Sequence, residues 1–473
     1  MTRATLTVLS LFVVLAAASP GTAQADEPPA AHRAVPDYDG RPAREPDEID
    51  ALLWVPRVLT APLYLVSEYL VRRPLGWLIS ELERSEVVDF LLGFFTAGGN
   101  EDFVILPTAF FDFGFAPSGG LYAAWRRFIV EENRISLHAA SGGEDWLLAT
   151  LSDHASLPDQ MELRFRASAL KRPDQQVGGI GYDGTQTPIA RFGIEQIEGS
   201  VRYGLRPWPG IELDYTVGYR GVGYVDESWD GQPSVGQANR RDLPAFESGY
   251  SSILVHGRLV LDTRTGCGNA GRTSGWDTAQ QILSSDERAE LPDGACELAS
   301  GGLRVALEAS EHFGFGGMAA SEWLRVAGEV VAATDFLGRG RVLSLRGRVH
   351  LVEPLGGARI VPFTELVSLS EAMRGFQPGR LYGATLASLS LEYVWPVWAF
   401  LDGSLHFDVG NVFDQSFQDF DVERLRMSFG VLLAPRASGD HLFELGLSFG
   451  TDTFARGASI VSVRFVIGAR GNL

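Results

Sequence analysis

Arg374 stands in the stretch Glu371-Ala372-Met373-Arg374-Gly375-Phe376, and two carboxylates follow it, Glu392 and Asp408. A guanidinium holds a carboxylate through parallel N–H···O bonds, so these residue types suit charge pairing rather than bond making. Gly446-Leu447-Ser448-Phe449-Gly450 fits the G-x-S-x-G pattern of hydrolase nucleophiles. That chemistry needs a strand, a strained turn and then a helix. Ser448 instead lies within an apolar/polar alternation, and no His follows His441. Gly179-Ile180-Gly181-Tyr182-Asp183-Gly184 fits a dinucleotide fingerprint, but it lies between two strand-like runs and reads as a turn. No covalent chemistry, cofactor or metal is expected.

The elements that must position Arg374 and its carboxylates have a period of two. In Ala387 to Val397, the positions of Leu389, Leu391, Tyr393 and Trp395 are apolar, which turns Glu392 to the opposite face. In Ala399 to Asn411, Leu401, Leu405, Phe407 and Val409 share one face, which sends Asp402, His406 and Asp408 to the other. On phase alone, these carboxylates are either partners for Arg374 or separate, water-bathed charges.

The alternation runs from about Phe103 to Ile467, as in Leu343 to Leu351 and Phe443 to Phe449. The runs number about sixteen and are about ten residues long, the length of a tilted strand that crosses a bilayer. A soluble sandwich also alternates. Charges on the polar faces suit a wet lumen, and Tyr393, Trp395 and Trp398 suit an interfacial girdle. Loops are uneven, with long excursions at 226–246 and 264–300. The expected fold is an all-β, antiparallel transmembrane barrel of about sixteen strands over residues 99–473.

The N-terminus has Arg3, an apolar run Leu6 to Ala18, and Ala23-Gln24-Ala25, which reads as a signal peptide over 1–25. Residues 26–48 are Pro- and Asp/Glu-rich and read as a disordered linker. Residues 49–98 carry helical spacing with interleaved Arg and aromatics, for a membrane-surface helix or a cap on the barrel. The chain has 40 basic and 59 acidic residues, a balance that argues against nucleic-acid binding. Its two cysteines, Cys267 and Cys296, bracket a Gly-, Ser- and Asp-rich stretch in an exported chain. A disulfide stapling an extracellular loop is expected. Thiol labelling of the denatured, non-reduced protein should then find no free Cys.

Most of residues 100–473, with the motifs confined to about 360–412, resembles the C-terminal barrel of the bacterial surface antigen family, whose members include the BamA- and TamA-like assembly factors and two-partner secretion pores. Arg374-Gly375-Phe376, Gly383, Glu392 with Pro396, and Phe407-Asp408-Val409-Gly410 match the family's motifs in order. The upstream "VPFTELVSL" resembles its lead into the loop. The resemblance implies a loop folded into the barrel, with Arg374, Gly375 and Phe376 at its tip and Glu392, Asp408 and Gly410 on the wall. Gly375 would let the backbone turn sharply. It also implies a weakly paired seam between first and last strands, and a role in outer-membrane protein assembly or polypeptide/lipid translocation in a Gram-negative bacterium. Partners would be outer-membrane lipids and lipopolysaccharide, with client barrel proteins or a periplasmic accessory protein. The alternative is a passive pore or structural barrel. Residues 26–100 show no POTRA strand pattern, Ser370-Glu371 replaces the usual Gly-Gly, and the chain ends Gly-Asn-Leu with its last aromatic at Phe465. Clients would therefore be recruited by something other than POTRA modules.

Overall fold

The computed structural model describes residues 103–468 except 129–132, 159, 184–187, 241–242, 265–300, 316–320, 336–340, 357–360, 399–400 and 436–443. Before residue 103 it describes only 65, 69, 73, 74, 77, 96 and 97. Sixteen strands make the wall: β1 (Phe103–Asp112), β2 (Ser118–Arg126), β3 (Asn133–Gly143), β4 (Trp146–Leu157), β5 (Met161–Val177), β6 (Ala190–Trp208), β7 (Ile211–Val225), β8 (Tyr250–Asp262), β9 (Gly301–Phe315), β10 (Glu322–Asp335), β11 (Val342–Leu355), β12 (Thr385–Trp398), β13 (Leu401–Phe413), β14 (Arg426–Pro435), β15 (Glu444–Thr451) and β16 (Ile460–Gly468). Each pairs antiparallel with its chain neighbours, and β16 returns to β1 to close the barrel.

Side-chain alternation sorts the two faces. On β11, Leu343, Leu345 and Val349 are exposed on the outside, between the inward Ser344, Arg346 and Arg348. All sixteen strands give the outer face at least one exposed large apolar residue, from Ile105 on β1 to Val463 on β16. On the inside, carboxylates bind several guanidinium groups at once. Glu329 of β10 accepts from Arg304 of β9 at 2.7 Å and from Arg348 of β11 at 2.6 Å.

Antiparallel closure fixes which connections share an end. Odd-numbered strands run away from the end where the chain enters, and even-numbered strands return to it. The β11–β12 connection, which carries Arg374, therefore lies at the far end, and the β8–β9 connection lies at the entry end. Cys267 and Cys296, expected to form a disulfide, lie outside the described residues. The signal peptide, the linker and almost all of 49–98 also fall outside. At the predicted helical end of that segment, Thr96–Ala97 is strand, paired antiparallel with Val104 and Phe103 of β1.

The far end of the lumen is filled by protein. Phe363, Val367, Leu369, Met373, Phe376 and Leu381 of the β11–β12 connection are fully buried against Phe192, Tyr250, Trp323, Val352, Leu386 and Val412 of the wall. The β7–β8 connection, expected as an outer excursion, adds Val235, Leu243 and Phe246 to this core. Phe246 and Phe363 lie with ring centroids 6.3 Å apart, and the Phe363 N–H donates to the Pro244 carbonyl at 3.1 Å. Apolar burial draws both connections inward.

Candidate functional site: the inward loop and the seam

The β11–β12 connection is built as a small plug. Its neck is a two-residue antiparallel pairing of Val367–Ser368 with Tyr382–Gly383. Below it, Leu369–Glu371 forms a single 3-10 turn closed by a capping box, in which Glu371 accepts from the Ser368 N–H at 2.9 Å. Glu371 also receives Arg325 of β10 at 2.7 Å, and its carbonyl receives Arg348 at 2.9 Å.

At the tip, Arg374 Nη1 donates to Glu392 Oε1 of β12 at 2.6 Å. The two side chains are 36% and 16% exposed, so the pair is half-buried. Asp408 of β13, 3% exposed, holds the tip differently, accepting the backbone N–H of Arg374 and the hydroxyls of Ser390 and Ser428. Ser428 Oγ in turn accepts the Gly375 N–H at 2.8 Å.

Gly375 does not adopt a positive φ, so a sharp turn is not why glycine stands there. Close approach is the reason. A Cβ on Gly375 would lie 2.8 Å from the Gly450 nitrogen and closer still to the Phe449 carbonyl group on β15. Phe376 is fully buried, with its ring over Gly450, where a Cβ would meet three ring atoms at 2.8–3.0 Å. A Cβ on Gly410 would meet the Ala387 carbonyl and Ser388 of β12 at 2.5–2.9 Å, so glycine there serves strand packing.

The G-x-S-x-G stretch thereby has a structural explanation. Ser448 is 7% exposed, pairs with Gly430 and Arg464 in the wall, and lies inside a strand rather than at a strand-to-helix turn, with only a three-residue 3-10 helix, Phe454–Arg456, after the strand ends; Gly450 makes room for Phe376. The Gly-rich turn after β5 docks on the loop's neck. Gly181 N–H donates to the Tyr382 carbonyl at 2.7 Å, and Tyr382 N–H donates to the Gly179 carbonyl at 2.9 Å.

A second anchor was not anticipated from sequence. Glu365, at the top of the loop and 2% exposed, accepts from Arg220 of β7 at 2.7 Å and from the Tyr250 hydroxyl of β8. Burial alone would raise its carboxyl pKa, but the Arg220 guanidinium and the Tyr250 hydrogen bond outweigh burial and hold it at about 2. A depressed carboxyl pKa stabilises the folded state fully above the unfolded value of roughly 4.3 and loses that contribution as pH falls. Glu365→Gln should cost about 2 kcal/mol at neutral pH, the scale of charge-assisted hydrogen bonds. Urea midpoints of the detergent-solubilised barrel should show that gap unchanged down to roughly pH 4.3 and closing towards about pH 2, the folded value. A gap independent of pH would rule out the charge as its source.

The seam between β16 and β1 closes the wall. Among the described residues, which end at Gly468, β16 and β1 share three register positions, Val466 with Asp112, Ile467 with Phe111 and Gly468 with Phe110. The neighbouring β1–β2 pair shares eight, from Phe103 with Trp125 to Phe110 with Ser118. One more bond, from the Phe113 N–H to the Phe465 carbonyl at 3.0 Å, and the buried Arg464–Asp112 ion pair at 2.7 Å cross the gap.

No family model and no curated protein matches this chain. Among solved structures, it is similar to BamA from Haemophilus ducreyi lacking POTRA domains 1–3, at 14% identity over 78% of this chain and 70% of that one, with a TM-score of 0.51. It is also similar to CdiB from Acinetobacter baumannii, at 11% identity over 78% of this chain and 60% of that one, with a TM-score of 0.45. The likeness to BamA speaks to the fold alone.

Proposed function

We propose that this chain is an outer-membrane barrel that inserts or translocates polypeptide, or lipid, by parting the seam between β16 and β1. The observation that carries this reading is the seam's register, three positions among the described residues, which end at Gly468, against six or more in every other pair of the wall. The inward loop supports the reading because its tip binds β12, β13, β14 and β15, on the β16 side of the seam. That side is thus braced from within while the edge of β16 stays free to move. The apolar outer face suits lipid, with lipopolysaccharide and the inner-leaflet lipids as its surroundings. Clients would be unfolded barrel proteins, brought by a periplasmic accessory protein. The filled far end argues against the rival reading of a passive pore.

The test is a tether across the seam. Cysteines replacing Phe111 and Ile467, which face each other in register, can form a disulfide without moving the backbone. In a background with Cys267 and Cys296 replaced by serine, oxidation should abolish insertion of an unfolded barrel protein into vesicles, and reduction should restore it. Full activity with the seam closed would sink the proposal.

A further inference from the structure

The Gly-rich turn after β5 does more than dock on the loop's neck; it crosses the mouth of the barrel. β6, into which the turn leads, stands eight places around the sixteen-strand wall from β14, on the opposite side. The Tyr182 carbonyl nevertheless accepts from Nη2 of Arg426, the first residue of β14, at 2.9 Å. On its way the turn lies on the inward loop. Gly178 N–H donates to the Gly379 carbonyl at 3.0 Å. A Cβ on Gly178 would stand 2.2 Å from the Arg380 carbonyl oxygen, an approach that only glycine allows.

Three arginines grip the tip of the turn. Arg426 is fully buried and also donates to Asp452 of the β15–β16 connection at 2.8 Å, which fixes its guanidinium. The Arg424 guanidinium of the β13–β14 connection lies 4.1 Å from the centre of the Tyr182 ring, a cation–π contact. Asp183 forms an ion pair with Arg456 of the β15–β16 connection. All three arginines belong to the wall on the β16 side of the seam, whereas β5 and β6 belong to the β1 side. The turn therefore joins the two halves of the barrel that the seam separates. Its inner end is buried, but Asp183 and Arg456 are 47% and 36% exposed, so the outer pair meets water.

We infer that residues 178–183 are a tie across the mouth that restrains the seam from parting, with the Asp183–Arg456 pair as its releasable end. A solvated ion pair is weak and is screened by salt, so it can let go while the barrel stays folded. Parting the seam moves β14 to β16 relative to β5 and β6, and the tie resists that movement. Phe113, whose N–H crosses the seam to the Phe465 carbonyl, stands at the same end of the barrel and feels the restraint directly. The inference rests on the seam reading above for what the movement achieves, and adds a restraint at the mouth that acts on the seam from a distance.

The experiment uses the full-length protein in lipid nanodiscs, with Cys267 and Cys296 replaced by serine. Asp183→Cys and Arg456→Cys together put two thiols where the ion pair stood, and a short, reducible bis-thiosulfonate reagent bridges them. The readout is hydrogen exchange of the Phe113 amide by mass spectrometry. With the thiols open, exchange should run about threefold faster than with the ion pair in place, the factor that losing a solvated pair gives. Bridging should slow it below the rate with the ion pair, and reduction should return the fast rate. Salt at molar concentration should speed exchange while the ion pair is present and not in the bridged protein. Amides that join β10 to β11, away from the seam, should exchange alike in every state. Exchange at Phe113 that ignores the bridge would overturn the tie and leave the seam reading to its own tether. Faster exchange throughout the wall with open thiols would also overturn it, because the pair would then be a general stabiliser. Exchange that follows the bridge, in a protein whose insertion activity survives the seam tether, would keep the tie and sink the seam reading.

Discussion

Arg374→Ala should free the loop tip and cost about 2 kcal/mol of barrel stability, between the 3–5 typical of breaking a buried pair and the 1 or less of a solvated one. The intermediate figure follows from the geometry. Glu392 is the more buried partner and would be left facing the lumen, with the charge of Arg346 on β11 still acting on it. Arg374→Lys should recover only part of the loss, because an ammonium lacks the planar fork. The informative measurement is a pair of double-mutant cycles read from urea midpoints. Arg374→Ala with Glu392→Gln should be strongly non-additive, with a coupling of about 1 kcal/mol or more. Arg374→Ala with Asp408→Ala should be closer to additive, because Asp408 also holds the backbone N–H of Arg374, which alanine keeps. Equal couplings in the two cycles would mean that the guanidinium does not choose between the carboxylates. Additivity in both would reduce Arg374 to a solvated loop charge.

Strand phase was legible because a half-buried sheet imposes a period of two on every strand. It turned Glu392 and Asp408 inward before any contact was known, and the tip of the loop reaches both. Phase is a local property, so it left open which carboxylate takes the side chain and which takes the backbone. It could not reveal the second anchor at all. Glu365 and Arg220 lie 145 residues apart, on a connection and a strand that meet only once the barrel closes. The inward packing of the β7–β8 connection was missed for a related reason, since Val235, Leu243 and Phe246 are spread over irregular backbone with no period. One signal was present without being used. Ser428, Gly430, Gly446, Ser448 and Gly450 are small residues on β14 and β15, and the tip docks there. A run of small inward residues on neighbouring strands marks a wall that something approaches closely.

That wall makes the sharpest expected result a steric one. Gly375→Ala should undock the tip, because its Cβ would be driven into the backbone of Phe449 and Gly450, which the ladders to β14 and β16 hold in place. Overpacking a fitted interior costs typically about 1–3 kcal/mol, and more when the obstacle is backbone that cannot rotate away. Gly450→Ala meets a different obstacle, three atoms of the Phe376 ring at 2.8–3.0 Å. A side chain can be trimmed where backbone cannot. Phe376→Leu should therefore rescue much of the loss in Gly450→Ala and none of the loss in Gly375→Ala. Phe376→Leu alone should be mildly destabilising, since it removes part of a fully buried ring. Urea midpoints of the five proteins, together with protease cleavage of the loop as a direct report of undocking, would check the scheme. The same rescue in both backgrounds would mean that the tip is held by the phenylalanine alone, and that Gly375 could be any small residue. Rescue confined to Gly450→Ala would place the limit on this loop in the distance between two backbones, which only glycine at position 375 allows.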